Sequence, residues 1–272
     1  MALQALNRYI ARRWSASPLA IWGKLPSHGD FLRHNTTAVQ AQCWQDWARD
    51  AWSPPAESQR GPRPNDAQRG DAPWVYLEPR KARVQLADVP VAFVMQPGTM
   101  SFAPRHCVQG VVLASSDTVG RSCPLVLFQT VAPSWLRRSW SVGSAGKSPI
   151  DMLYWLARIA ARIHAAERDW SALVRAVDAL WSLYEPNVRQ LVDATVPTPS
   201  RLHLDRLVRE YCEADAADVA SGLKGVQNMP WKGWPNQILR TNQPSNAYWQ
   251  QDMRGGYVSA GERLPRIWEM QV

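Results

Sequence analysis

The sequence predicts an α/β-layered domain of the α+β type: a mostly antiparallel central sheet flanked by helices, with a helical C-terminal half. Three observations predict it. Two apolar, β-branched runs, 107–114 and 125–131, are joined by a short polar turn, the pattern of an antiparallel pair. From Ser148 onward the apolar spacing changes to threes and fours, the period of helices. No internal repeat and no long linker divides the 272 residues. One compact unit over 18–272 is therefore expected, preceded by an N-terminal extension, 1–17.

In the extension, Leu3, Leu6, Ile10 and Trp14 fall at helical spacing beside Arg8, Arg12 and Arg13. A terminal helix packed on its own domain is expected, with any membrane contact only indirect. Leu19-Ala20-Ile21-Trp22 reads as a short buried strand. Asn35 or Thr36 is placed to cap a helix running to about Trp52, with Val39, Cys43, Trp44, Trp47 and Ala51 on its apolar face. Pro54-Pro55 stops it, and 53–73, rich in Pro, Gly, Arg and Asp, reads as a surface loop. Residues 74–77 read as a short extended piece or helix fragment. A strand from Pro90 to Met95 ends at the Pro97-Gly98 turn signal.

In the second half, Ser148-Pro149-Ile150-Asp151 combines a cap, a proline at the first helical position and an early acid. Met152, Leu156, Ile159 and Ile163 continue that helix. A second carries Leu173, Val177, Leu180, Trp181 and Tyr184 and ends at Pro186; a third carries Leu204, Leu207, Val208, Tyr211 and Cys212. Short strands near Ile238-Leu239 and Tyr248-Trp249 would extend the sheet edge.

Composition sets bounds. Hydrophobic residues make up 46%, enough for a sizeable core, and fifteen tryptophans exceed what one core needs, so some belong to an interface. The net charge is +8, yet the arginines are scattered and the lysines are few. With no RRM-type or zinc-finger spacing, a solvated basic surface is expected and no nucleic-acid partner. Cys43, Cys107, Cys123 and Cys212 lie far apart without a CxxC, which fits free thiols in a reducing compartment. The absence of a membrane-length apolar run or secretory leader makes a cytoplasmic location the expectation.

Two polar knots stand out. The first is Gly23-Lys24-Leu25-Pro26-Ser27-His28-Gly29-Asp30-Phe31, a sharply bent turn that projects Lys24, His28 and Asp30 from a rigid base. The second runs from Ser115-Ser116-Asp117 through Val119-Gly120-Arg121 to Pro124-Leu125. Together, in this order, they resemble the TagF family of type VI secretion-associated proteins. The likeness covers 19–131 and includes the Trp-bearing helix and the strand at Pro90–Phe93. Residues 1–17 and 53–89 depart from it, and Ala114 stands where the family often has proline. The resemblance implies a longin-like α/β fold and a cytoplasmic, non-enzymatic repressor of bacterial type VI secretion. It also implies post-translational action through protein–protein binding, with a forkhead-associated protein among the candidate partners.

The chemistry of the knots leaves several readings. His28-x-Asp30 could place an imidazole and a carboxylate on one metal ion, but a third ligand is missing. Asp30 is better used accepting amides in its own turn, and Lys24 better paired with Asp117. Ser115 or Ser116 with His28 and Asp30 or Asp117 could be drawn as a hydrolase, without a Gly-x-Ser-x-Gly elbow. Asp117 and Arg121 are expected to lock their turn through a bidentate ion pair or to contact a partner. Lys24, His28, Asp30, Ser116, Asp117, Gly120 and Arg121 are thus the candidate partner-binding or loop-locking residues, with no catalytic residue, metal or cofactor. Gly143–Ser148 is not a P-loop, because Ser141 stands where its first glycine is needed.

Overall fold

The computed structural model describes residues 15–52, 89–141, 150–166, 169–186, 199–212, 225–226, 229–231, 234–236, 238–239, 245–252, 255–264 and 267. Within these, seven strands form one antiparallel sheet and five helices cover it, an α+β fold. The strands are β1 (Ala20–Gly23), β2 (Leu32–His34), β3 (Val91–Met95), β4 (Cys107–Leu113), β5 (Leu125–Val131), β6 (Ala247–Gln251) and β7 (Tyr257–Gly261). Their spatial order is β2-β1-β5-β4-β3-β6-β7. The helices are α1 (Ala38–Ala51), α2 (Pro133–Ser141), α3 (Ile150–Ala165), α4 (Trp170–Tyr184) and α5 (Arg201–Tyr211).

Register explains why the knots meet. β5 pairs with β4 through all seven residues and with β1 on its other side, Trp22 facing Val126. Because both pairings are antiparallel, β1 leaves the sheet at the end where β5 enters it. The β1–β2 loop and the β4–β5 turn therefore emerge side by side. The last two strands among the described residues return to the far edge, β6 beside β3.

Alternation along the strands divides the core. Ile21, Val94, Val111 and Leu127 face α3, on which α4 and α5 pack. Trp22, Phe93, Val112, Val126 and Phe128 face the other way, where Trp44 of α1 meets Phe93 and Phe128 edge-on. No helix among the described residues is long and apolar enough to cross a membrane.

Some expectations shift. The cap of α1 is Thr37, in a reciprocal capping box with Gln40. Thr36 and Asn35 precede the cap position, and their side chains tie the chain elsewhere: the Thr36 hydroxyl donates to Ile21 O and the Asn35 amide to Leu19 O. The inward face of α1 carries Trp44, Cys43 and Trp47 as expected, with Ala41 added to it, whereas Val39 is exposed. Strand β2 and helix α2 go beyond the sequence expectations: three residues are too few for a period, and the buried stripe of α2, Trp135, Leu136 and Ser139, is short and includes a polar residue. Ile238-Leu239 forms a turn, not a strand. Ser15–Ser17 bonds along the end of β5, through Ser17 N to Thr130 O and Ala132 N to Ser15 O. The expected helix in 1–14, the 53–73 loop, the 74–77 piece and the Gly143–Ser148 stretch with its cap lie outside the described residues.

Candidate functional site

The second knot is wound round one carboxylate. Asp117 is buried, and its four acceptor positions are filled. Oδ1 accepts from Val119 N at 3.1 Å and Arg121 N at 2.8 Å; Oδ2 accepts from Arg121 Nε at 2.6 Å and Lys24 Nζ at 2.7 Å. Burial pushes the carboxyl up, but Lys24, the amide and guanidinium of Arg121 and the Val119 amide outweigh it and hold it well below the usual carboxylate range. Gly120 N closes the turn on Asp117 O, and Gly120 itself sits at φ 81°, where a side chain would strain the backbone. Ser116 and Ser122 form a one-residue bridge at its base.

The first knot supplies the second cation from inside. Lys24 is buried, with its ammonium 4.9 Å from the centre of the Phe31 ring, which in turn stacks on Trp22 at 5.4 Å. Gly23 makes the approach feasible: at φ 135° it presses on β5 so closely that a Cβ would lie 2.2 Å from Pro124 O. Further bonds join the loops. Thr118 N donates to His28 O at 3.3 Å, and Arg121 Nη2 donates to Gly29 O at 3.4 Å.

A histidine missed in the sequence, His164 of α3, completes the inner side. The Ser115 hydroxyl donates to Lys24 O at 2.8 Å, so it accepts from His164 Nε2 at 3.0 Å. Nε2 therefore carries the proton. Burial lowers the pKa of this imidazole to about 4. One helix end, one serine and the first knot are thus threaded on a single chain of hydrogen bonds. Its only signal in the sequence is one more polar residue on a helix that also carries Asp151, Arg158 and Arg162, which does not reveal what it meets.

The expected residues divide into two groups. Lys24, Ser116, Asp117, Gly120 and Arg121 are brought together at the corner. His28 lies beside it, bonded to Ser27 Oγ at 2.9 Å, with Asp169 at 3.8 Å from its other nitrogen. Asp30 is exposed and makes no hydrogen bond within its turn, so that expectation fails. The Asp117–Arg121 lock is also not bidentate between side chains: the guanidinium gives only Nε, and the second bond comes from the Arg121 backbone. No hydrogen bond joins His28 to Ser115, Ser116 or Asp30, so the drawn triad is not assembled. Among the described residues no cluster of His, Cys, Asp and Glu is arranged to hold a metal ion.

The rim of the corner is different in character. Phe31 is 41% exposed and Val119 71%, and the Arg121 side chain is 67% exposed although its Nε is anchored. These three surround a rigid base without being part of the core.

No family model matches the chain, and no curated protein matches it. Among solved structures it is similar to PA0076 from Pseudomonas aeruginosa PAO1, at 16% identity and a TM-score of 0.46, over 92% of this chain and 90% of that one.

Proposed function

We propose that this chain is a non-enzymatic, cytoplasmic regulatory protein of a bacterial type VI secretion system, a repressor that acts by binding a component of the apparatus through the face of the two knots. The observation that carries the reading is the pairing of Lys24 with Asp117, 93 residues apart, at 2.7 Å. It fastens the two motif loops into one rigid surface whose rim, Phe31, Val119 and Arg121, stays open to solvent. Rigid loops with exposed apolar and arginine side chains suit recognition, because little entropy is lost on docking. The chemistry of Ser115 favours binding over hydrolysis. A serine whose proton is given to Lys24 O, and which accepts from His164, lacks a base to activate it.

The test is genetic. Deleting the gene should raise type VI-dependent secretion, and the wild-type chain should restore repression. A Phe31→Ser, Val119→Asp variant that melts like wild type should not restore it. Secretion unchanged by deletion overturns the proposal.

A further inference from the structure

Two cations face one carboxylate at the corner. Lys24, inside, is enough to neutralise Asp117. Arg121, outside, is a second positive charge on an acid already satisfied. Its Nε is held at 2.6 Å and one terminal nitrogen reaches Gly29 O at a long 3.4 Å. The remaining N–H groups of the fork have no acceptor among the described residues. The guanidinium is thus fixed in place with its outer edge presented to solvent, on the turn that carries the exposed Val119 and bonded across to the loop that carries the exposed Phe31. An arginine oriented before binding loses less rotamer freedom when it captures an anion.

Resting on the reading of this face as a partner site, we infer that the outer edge of Arg121 receives a carboxylate side chain from a partner protein, on a segment in which Asp or Glu neighbours an apolar residue that packs on Val119 and Phe31. The turn itself argues for a carboxylate and against a phosphoryl group. The amides of Val119 and Arg121 point inward to the Asp117 carboxylate and that of Gly120 to its carbonyl, so no nest of N–H groups remains for a dianion. Phosphoryl sites also gather several cations, whereas Lys24 is buried and spent and the exposed Asp30 stands on the neighbouring loop.

The experiment is selection of a random, unmodified peptide library on the wild-type protein, with counter-selection on Arg121→Gln. Enriched peptides are resynthesised and their affinities measured by calorimetry. The expected result is enrichment of Asp or Glu next to a large apolar residue. Replacing that acid by its amide, or Arg121 by Gln, should weaken binding by about tenfold or more. Val119→Asp, at an exposed tip, is the control for a damaged turn: it should weaken acidic peptides at least as much while leaving the melting temperature unchanged. Peptides that need Val119 and Phe31 but carry no acid, or that ignore Arg121→Gln, overturn the inference and leave the partner-site reading standing. Failure to enrich any peptide dependent on this face overturns the inference as well, and the secretion assay then decides the reading separately.

Discussion

The two ends of the sheet are closed by different chemistry. At the knot end, a buried ammonium, a buried carboxylate and an anchored guanidinium hold two loops together. At the opposite end, neutral groups do the same job. Asn246 Oδ1 accepts from Gln96 N and from Thr99 Oγ1, each at 3.0 Å, and the Gln96 side chain donates to Ser245 O. A neutral amide network suffices to tie a loop down. The charges at the knot end are therefore not required for closure as such. What they add is sensitivity to charge and a pre-set arginine on the outside.

The comparison breaks most completely at Gly23. A Cβ there would overlap the Pro124 carbonyl, in a backbone region that only glycine adopts freely, and the clash involves backbone on both sides. Gly23→Ala should cost on the order of 4 kcal/mol or more, read as a loss of soluble, cooperatively melting protein. Next in size is Lys24→Met. Removing one partner of a buried pair should lower Tm by roughly 10 °C. Asn246→Ala at the neutral end should lower it by only about 3–5 °C. Equal shifts would mean that the charges do nothing the amides do not.

Acid sharpens the contrast further. His164 has its folded pKa depressed from 6.5 to about 4. Between those values the unfolded chain binds a proton that the folded one refuses, so stability falls as pH falls through that window, by up to about 3 kcal/mol. Below it, Asp117, whose pKa is also depressed, loses its contribution as it protonates. Urea melts at stepped pH should show both losses in wild type. In His164→Gln, whose amide can still donate to Ser115, the loss between pH 6.5 and 4 should disappear. Asn246→Ala should keep the wild-type slope.

How much of this was legible in the sequence depends on whether a residue's own pattern or motif points to its neighbours. Strands β3, β4 and β5 are largely apolar runs, and helices α3, α4 and α5 have a strong period in their own residues. Strand β2 is too short to have one, and it exists because β1 offers it an edge. The Lys24–Asp117 pair could be named because a lysine in one knot suits a carboxylate in the other; the burial of Lys24 was not legible, because its turn reads as one that projects it. His164 could not, because its partner lies on a loop 49 residues away and only the packing of α3 on the sheet brings them together. For Asp30 the sequence left two readings, projection from the turn and acceptance of its amides, and the exposed side chain matches the first.

The smallest expected effect carries the most functional weight. Asp30 is exposed and unbonded, so Asp30→Asn should change stability by less than about 0.5 kcal/mol. It also removes the acid that stands on the loop beside Arg121. If the fork awaits a carboxylate, relieving that repulsion should tighten an acidic peptide by a few-fold, an effect that shrinks as salt is raised. Lys24→Met would act in the opposite order, unsettling the fold while changing the rim only indirectly. Affinity that follows Asp30 and stability that follows Lys24 would separate the two roles of the corner: the inner charges hold the loops, and the outer ones choose what the loops bind.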